Sequence, residues 1–141
     1  KRSTNSSGKA FRQNVEGGDP RYSFRWLGGD DSLYVFEAPI DLLSYITLYP
    51  DGWGRHNYVA CCGVSPLPVM EALRRMDQPR QVFLCLDNDA AGQAANQRMA
   101  EQIQSQFGIA ADILIPVAKD WNEELCAMSE TPKFSMSTGR R

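Results

Sequence analysis

Residues 81–92 read QVFLCLDNDAAG, and this stretch decides the fold. Five consecutive apolar residues predict a buried strand over 81–86, which ends at an acidic triplet. The next segment predicts a helix over 90–107, because apolar residues recur there every four positions and Gly108 follows as a natural stop. A buried strand that leads through acidic residues into a long helix is typical of α/β proteins.

The same alternation of strand and helix continues on both sides of this stretch. Apolar runs predict three further strands, at 33–36, 57–62 and 112–116. Pro39 and Pro68 suit the first turn of a helix after two of these strands, and a short last helix is expected to end near Met128. The chain is therefore predicted to be an α/β protein, with a parallel sheet of about four strands and helices on both faces.

Residues 1–32 are polar and rich in glycine. Extended segments at 10–15 and 22–26, separated by turn-forming residues at 16–20, predict a β-hairpin extension before the sheet. We therefore divide the chain into a basic hairpin extension at 1–32, a core at 33–128 and a flexible tail at 129–141. The chain begins at Lys1 rather than Met, so we expect it to belong with other domains of a longer parent chain.

The net charge of −2 hides an uneven distribution. Residues 1–32 carry six Lys/Arg and four acids, whereas residues 33–128 carry six Lys/Arg and twelve acids. Net charge alone would not hold a polyanion against the core, so either a cation bridges the two or the basic ends supply the contacts. In the first 26 residues, four cations alternate with aromatic residues: Lys9, Arg12, Arg21 and Arg25. This mixture suits phosphates and exposed bases, and it is equally compatible with a solvated hairpin.

The apolar runs and the cysteines indicate in which cellular compartment the protein works. No apolar run approaches the roughly 18 residues that a membrane span needs, so no membrane contact is expected. The four cysteines form no CxxC pair, and three of them lie in apolar runs. We therefore expect no zinc site and a reducing, cytoplasmic location.

Acidic residues gather where the predicted strands end. They are Glu37, Asp87, Asp89 and Asp120, together with Asp41 one helical turn after Glu37. Ligands of such sheets lie beyond the carboxyl ends of the strands, and clustered carboxylates repel one another unless a hard divalent cation binds them. Taken singly, Asp87 or Asp89 could instead cap a helix, and Asp41 could be a first-turn acid favoured by the helix dipole.

The motifs EAPID (residues 37–41) and DNDAAG (residues 87–92) resemble those of the Toprim domain, which bacterial primases, topoisomerases and certain nucleases share. The segment KDWNE at 119–123 is similar to a primase segment in which Lys-Asp precedes another acid. The closest resemblance is to primase-like proteins of plasmids and other mobile elements, related to bacterial DNA primase, and it covers about residues 1–128. It implies a Rossmann-type Toprim sheet and nucleotidyl transfer in DNA replication.

The resemblance also implies a cofactor and a set of site residues. The cofactor is Mg²⁺, for which Mn²⁺ can substitute, and the acid triad is Glu37, Asp87 and Asp89. Asp41 and Asp120 match further acidic positions that could hold a second ion. The implied partners are nucleotides and single-stranded DNA or RNA, whose phosphates would contact Lys9, Arg12, Arg21, Arg25 and Lys119. Asn122 stands where a primase usually has another Asp, which weakens a second ion site. A Toprim-type nuclease and a non-catalytic nucleic-acid or partner-binding module remain open as alternatives.

Overall fold

The structure is a computed structural model of the 141-residue chain, and it describes residues 2–4, 10–12, 23–62 and 65–137. Strands β1 (Arg2–Thr4) and β2 (Ala10–Arg12) pair with each other in a two-stranded antiparallel sheet. Five further strands form the main sheet: β3 (Arg25–Leu27), β4 (Ser32–Phe36), β5 (Asn57–Ala60), β6 (Gln81–Leu84) and β7 (Asp112–Ile113). Their order across the sheet is β3-β5-β4-β6-β7, and all of them are parallel except the edge strand β3.

Four α-helices connect and cover the main sheet. They are α1 (Pro39–Leu48), α2 (Leu67–Arg75), α3 (Ala90–Phe107) and α4 (Trp121–Ser137). Proline lies in the first turn of both α1 and α2, and Gly108 ends α3 in the left-handed conformation with φ of 69°. These local signals explain why the predicted starts of the first two helices and both ends of α3 are confirmed.

Each face of the sheet carries its own apolar core. On one face, Val35, Val59 and Leu84 pack with residues of α2 and α3, such as Leu73 and Ile103. The opposite face has a second cluster, which α1 and α4 complete: Phe36, Leu42, Tyr58, Ala60, Cys85 and Trp121. Both faces of the parallel strands are therefore buried, which is why their sequences read as continuous apolar runs rather than as alternating patterns.

A two-stranded antiparallel pair precedes the main sheet, as predicted, but the segments that form it differ from the predicted ones. The segment at 10–12 pairs with residues 2–4, whereas β3 pairs with β5 in the main sheet. Residues 13–22, including the predicted turn, lie outside the described residues. The edge position suits β3 because Gly28 fits closely against the turn before β5, where a Cβ would meet the Gly54 carbonyl oxygen at 2.3 Å. In the main sheet β3 gains a hydrogen-bonded neighbour that is itself packed on both faces, which a separate hairpin would not provide.

Several element ends also differ from the prediction. The strands β5, β6 and β7 are shorter than the predicted runs 57–62, 81–86 and 112–116, because the chain leaves the ladder where it forms the loops at the carboxyl edge. Helix α4 continues to Ser137 rather than ending near Met128. Among the described residues, none of the helices combines the length and the hydropathy that a membrane span requires.

Candidate functional site

The carboxyl edge of the main sheet brings together acidic residues from three separate loops. Glu37 directly follows β4, Asp87 lies three residues beyond the end of β6, and Asp120 directly precedes α4. Asp41 lies in the first turn of α1 and is buried. The predicted convergence of these acids at one edge follows from the parallel direction of β4 and β6.

Three of these carboxylates form a compact group. One oxygen each of Asp41, Asp87 and Asp120 lie within 4.8 Å of one another, and we call this set the carboxylate group. In the described part of the chain, Asp87 Oδ1 is buried and accepts no hydrogen bond. Three like charges at this distance repel one another, and a buried carboxylate oxygen without a donor adds a desolvation cost.

Asp87 is the member of the group whose protonation is most affected. Its pKa is raised to about 7, first by burial and then by the negative charges of Glu37, Asp41, Asp120 and Asp89. The charged form of Asp87 is therefore disfavoured near neutral pH unless a cation lies nearby. A bound divalent cation would offset this repulsion and would favour the charged form of Asp87.

Glu37 lies beside the carboxylate group but is not one of its three members. Its Oε1 accepts a hydrogen bond from the backbone N–H of Asp87 at 3.2 Å. Glu37 thereby fixes the chain at the point where it leaves β6, and its charge contributes to the raised pKa of Asp87.

Asp89 was predicted to belong to the acid triad, but it lies at the start of α3 rather than in the carboxylate group. It is the N-cap of α3, with extended backbone angles, and its Oδ1 accepts a hydrogen bond from the backbone N–H of Gly92 at 2.7 Å. Its carboxylate lies outside the group of three, although its charge also raises the pKa of Asp87. The role of Asp89 as a metal ligand stays a prediction.

Two connections place Asp87 close to Asp120. Asn88 donates from its backbone N–H to the Lys119 carbonyl at 2.6 Å and from Nδ2 to the Pro116 carbonyl at 3.1 Å. The indole N–H of the buried Trp121 donates to the Cys85 carbonyl at 3.0 Å. The segment after β6 is thus tied to the start of α4. Neither Asn88 nor Trp121 was singled out from the sequence, since both act through contacts between distant segments.

Gly92 allows α3 to approach the site closely. A Cβ at this position would meet the Asp87 carbonyl oxygen at 2.1 Å, so any larger residue would displace the backbone of α3 or of Asp87. Gly92 thus has a steric reason for its place after the acidic triplet. In the sequence, Gly92 stands out only as the last residue of the DNDAAG motif.

Asn122 connects α4 with α1 rather than adding a charge. Its backbone N–H donates to Asp41 Oδ1 at 3.3 Å, and its side-chain oxygen accepts a hydrogen bond from Ser44 Oγ at 3.3 Å. These contacts hold Asp41 next to the first turn of α4, which follows Asp120. The amide thus takes part in positioning the carboxylate group.

The predicted phosphate-binding residues are placed only in part. Lys119 is exposed and directly precedes Asp120. Arg25 lies on the edge strand β3, paired in register with Val59. The side chains of Lys9, Arg12 and Arg21 lie outside the described residues, so their contacts with phosphates stay predictions.

Residues 34–125 match the family model of Toprim-like proteins. The chain belongs to the Toprim-like family. The matched range contains all five acidic residues of the site, from Glu37 to Asp120. The resemblance inferred from the sequence is thereby confirmed.

Curated relatives of this Toprim-like chain include two uncharacterized proteins. A protein of Bacillus anthracis is 36% identical over 84 residues, which cover 55% of this chain and 24% of the relative. A protein of Mycoplasma genitalium is 28% identical over 95 residues, which cover 67% of this chain and 41% of the relative. The chain thus spans less than half the length of each of these relatives.

Solved structures show the same fold in phage replication proteins. The primase fragment of the bacteriophage T7 primase-helicase protein has a TM-score of 0.55 and 22% identity, covering 78% of this chain and 44% of that one. A second match is a chain in the structure of the bacteriophage T7 lagging-strand DNA polymerase interacting with primase domains of two gp4 subunits bound to an RNA/DNA hybrid and dTTP. Its TM-score is 0.53 at 22% identity, and the match covers 78% of this chain and 54% of that chain. The predicted α/β fold of the primase Toprim type is confirmed.

Proposed function

We propose that this chain is the metal-dependent phosphoryl-transfer domain of a primase-like protein, and that it transfers nucleotidyl groups on nucleic acid with Mg²⁺. One observation carries the proposal: Asp41, Asp87 and Asp120 bring carboxylate oxygens within 4.8 Å of one another, and one of the Asp87 oxygens is buried without a hydrogen-bond donor in the described residues. Family membership and the fold of the T7 primase fragment support the same class of activity.

The residues present fit a hard divalent cation. All three members of the carboxylate group offer oxygen, which Mg²⁺ and Mn²⁺ prefer over the nitrogen and sulfur ligands of softer metals. A cation would supply the missing partner of Asp87 Oδ1 and would offset the repulsion that raises the pKa of Asp87. Asp41, Asp87 and Asp120 would hold the ion, with Glu37 beside them. When bound, the ion would neutralise charge on the phosphates and align the reacting groups.

The chain itself would contribute positioning and charge around that site. The N-terminus of α3 opens toward the carboxyl edge with the small, exposed residues Ala90 and Ala91 at its start, so a phosphate could approach backbone N–H groups there. Asp89 occupies the cap position and would limit that approach to the side that its carboxylate leaves open. The exposed Lys119 would add a positive charge next to Asp120.

Nucleic acid is the proposed substrate class for two reasons. One structure with the same fold contains primase domains together with a DNA polymerase, an RNA/DNA hybrid and dTTP. The core of this chain is acidic, so a polyanionic substrate needs a cation at the carboxylate group or contacts from the basic N-terminal stretch. Both conditions agree with a metal-dependent site for phosphates.

The setting of the domain is part of the proposal. We propose that the catalytic core extends beyond the predicted 33–128, from β3 to the end of α4 (residues 25–137), because both belong to the main fold. We further propose that the core lies within a longer protein that serves DNA replication of a mobile element. The four cysteines are free, of which Cys61 and Cys85 are buried, and this supports a reducing, cytoplasmic compartment.

An activity assay tests this proposal and separates it from its alternatives. The chain and its longer parent are incubated with labelled single-stranded DNA or RNA, with and without nucleotides, in Mg²⁺, Mn²⁺ or EDTA. Asp87→Asn is compared with Asp112→Asn, a matched change at an exposed carboxylate of β7 outside the group. We expect nucleotide-dependent products in metal that Asp87→Asn abolishes and Asp112→Asn retains.

The other outcomes would replace the proposal with a specific alternative. Shortened strands that appear without nucleotides, and that disappear with Asp87→Asn, would identify a nuclease that uses the same acids. Equal activity of the parent with and without the Asp87→Asn change would instead identify a binding module.

A further inference from the structure

A buried tryptophan connects the three segments that carry the carboxylate group. Trp121 directly follows Asp120 in the chain, is 4% exposed and belongs to the apolar core on the α1 and α4 face of the sheet. Its ring meets that of Tyr45 edge to face, with centroids 5.0 Å apart and planes at 87°. Trp121 thereby anchors the start of α4 in this core.

The first connection leads to the segment that carries Asp87. The indole N–H of Trp121 donates to the Cys85 carbonyl at 3.0 Å, and both groups are buried. Cys85 lies one residue beyond the end of β6 and two residues before Asp87. Because a hydrogen bond in a buried, weakly polar environment is stronger than one in water, this bond holds the segments of Asp87 and Asp120 together.

The second connection leads to the segment that carries Asp41. Tyr45 lies one helical turn after Asp41 in α1, so its contact with Trp121 sets how closely the start of α4 approaches that turn. The next residue completes the approach, since the backbone N–H of Asn122 donates to Asp41 Oδ1 at 3.3 Å. The side chain of Trp121 thus contacts the segments of the other two carboxylates.

These connections matter because the three carboxylates come from segments that are far apart in the sequence. Asp41, Asp87 and Asp120 repel one another when no cation is bound, so the surrounding packing has to impose their mutual distances. Residues that support the ligands of a metal typically change its affinity by about 10- to 100-fold when they are replaced. Trp121 has the contacts that such a supporting residue needs.

We propose that Trp121 is a positioning residue of the metal site. Its indole, through the bond to Cys85 and the contact with Tyr45, would hold Asp120 within reach of a cation that Asp41 and Asp87 also bind. The inference rests on the proposed function only in taking a divalent cation as the ligand. It adds that the affinity for this cation depends on a buried side chain that offers no ligand atom of its own.

Titration with Mn²⁺ followed by electron paramagnetic resonance tests the inference. The titration gives the affinity, and pulsed measurements in D₂O count the water ligands of the bound ion. The 141-residue chain is compared with Trp121→Phe, which keeps a ring in the core and removes the N–H donor. We expect Trp121→Phe to bind Mn²⁺ about 10- to 100-fold more weakly, and its bound ion to hold more water because Asp120 no longer fills its place.

Two further variants separate positioning from a general loss of stability. Trp53→Phe makes the same change in the 3-10 turn before β5, where Trp53 is 38% exposed and its ring contacts Trp26, and it should bind Mn²⁺ like the wild type. Benzothienylalanine in place of Trp121 keeps the shape of the indole and removes only the N–H. It should weaken binding as Trp121→Phe does, and it serves as the test if Trp121→Phe does not fold. Circular dichroism and urea denaturation establish that the compared proteins are folded.

A double substitution shows whether Trp121 acts through Asp120. Once Asp120 is replaced by Asn, its distance from Asp87 no longer affects the ion. Trp121→Phe should therefore cause no further loss of affinity in the Asp120→Asn background, and the two effects should not add.

Two results would overturn the inference alone. Folded Trp121 variants with the affinity and the water count of the wild type would make Trp121 a core residue without influence on the site. A double variant whose loss of affinity is the product of the two single losses would show that Trp121 does not act through Asp120. In both cases the wild type still binds Mn²⁺, so the proposed function would stand. A wild type that binds no Mn²⁺ would instead overturn the proposed function, and the inference with it.

Discussion

Replacing Asp87 by Asn should stabilise the metal-free protein at alkaline pH and remove its response to Mg²⁺. The pKa of Asp87 is raised to about 7 by burial and by four neighbouring carboxylates, whereas the unfolded chain has an ordinary Asp pKa of about 3.9. A raised folded-state pKa favours folding fully below about pH 4, and this contribution is lost as the pH rises through about 7. Above that pH, the charged Asp87 lowers the free energy of unfolding of the wild type by a constant amount, and the Asp87→Asn protein does not lose this amount.

The size of this penalty follows from the shift. A difference of about 3 pKa units corresponds to an upper limit of about 4 kcal/mol in the free energy of unfolding. Asp87 is only half-buried, and solvent screening reduces the effect, so we expect about 1–2 kcal/mol at pH 8. Mg²⁺ should restore this free energy to the wild type by binding to the folded state, and it should leave Asp87→Asn nearly unchanged.

Urea denaturation of both proteins at pH 5 and pH 8, with and without Mg²⁺, measures these quantities. We expect the advantage of Asp87→Asn in EDTA to grow between the two pH values, and Mg²⁺ to reverse the order of stability at pH 8. The control Asp112→Asn should respond to Mg²⁺ like the wild type. A metal-free Asp87→Asn protein that is less stable than the wild type at pH 8 would refute the reasoning, because Asp87 would then be a stabilising group.

Substitutions at three further positions test the cap of α3, the close packing of α3 against Asp87 and the membership of Asp120 in the metal site. Asp89→Ala should lower the free energy of unfolding by about 0.5–2 kcal/mol through loss of the α3 cap, whereas Asp89→Asn should keep the cap; if Asp89 is also a ligand, as the resemblance implies, Asp89→Asn should lose the Mg²⁺ response, and a retained response would restrict Asp89 to the cap. Gly92→Ala should lower both the melting temperature and the Mg²⁺ affinity, since its Cβ would meet the Asp87 carbonyl at 2.1 Å, while Gly54→Ala, with no atom within 4 Å, should do neither. Asp120→Asn should weaken calorimetric Mg²⁺ binding by about tenfold or more, and unchanged affinity would exclude Asp120 from the site.

The sequence predicted those parts of the fold whose signals are local. The apolar run before Asp87 marks β6, and the cap and stop residues at the two ends of α3 mark its bounds. The convergence of Asp41 and Asp120 with Asp87 was predictable too, because parallel strands end at one edge and Asp41 lies one helical turn beyond Glu37.

The different positions of Asp87 and Asp89 could not be predicted from their spacing in the sequence. Alternate residues point the same way along a strand, but β6 ends at Leu84, so this rule no longer applies at the acidic pair. Asp89 instead lies at the helix start, where a carboxylate that accepts from the N–H of Gly92 stabilises the first turn. The sequence was therefore compatible with both interpretations of Asp89, as a helix cap and as a metal ligand.

Non-local contacts explain the remaining differences. The pairing of β3 with β5 depends on how Gly28 fits against Gly54, more than twenty residues away in the sequence. The meeting of Trp26 with Trp53 depends on the same approach, and no sequence pattern links the two residues. Tertiary packing, rather than local preference, decides these features.

Crystals soaked in Mn²⁺ and measured for anomalous scattering would show whether the carboxylate group binds a divalent cation. The structure predicts an anomalous peak within about 2.5 Å of carboxylate oxygens of Asp41, Asp87 and Asp120, with Asp87 Oδ1 among the ligands. Soaked crystals of Asp87→Asn should lack the peak. An ordered carboxylate group with no peak in the wild type, or a peak whose ligands do not include Asp87, would contradict the assignment of the metal site to these three residues.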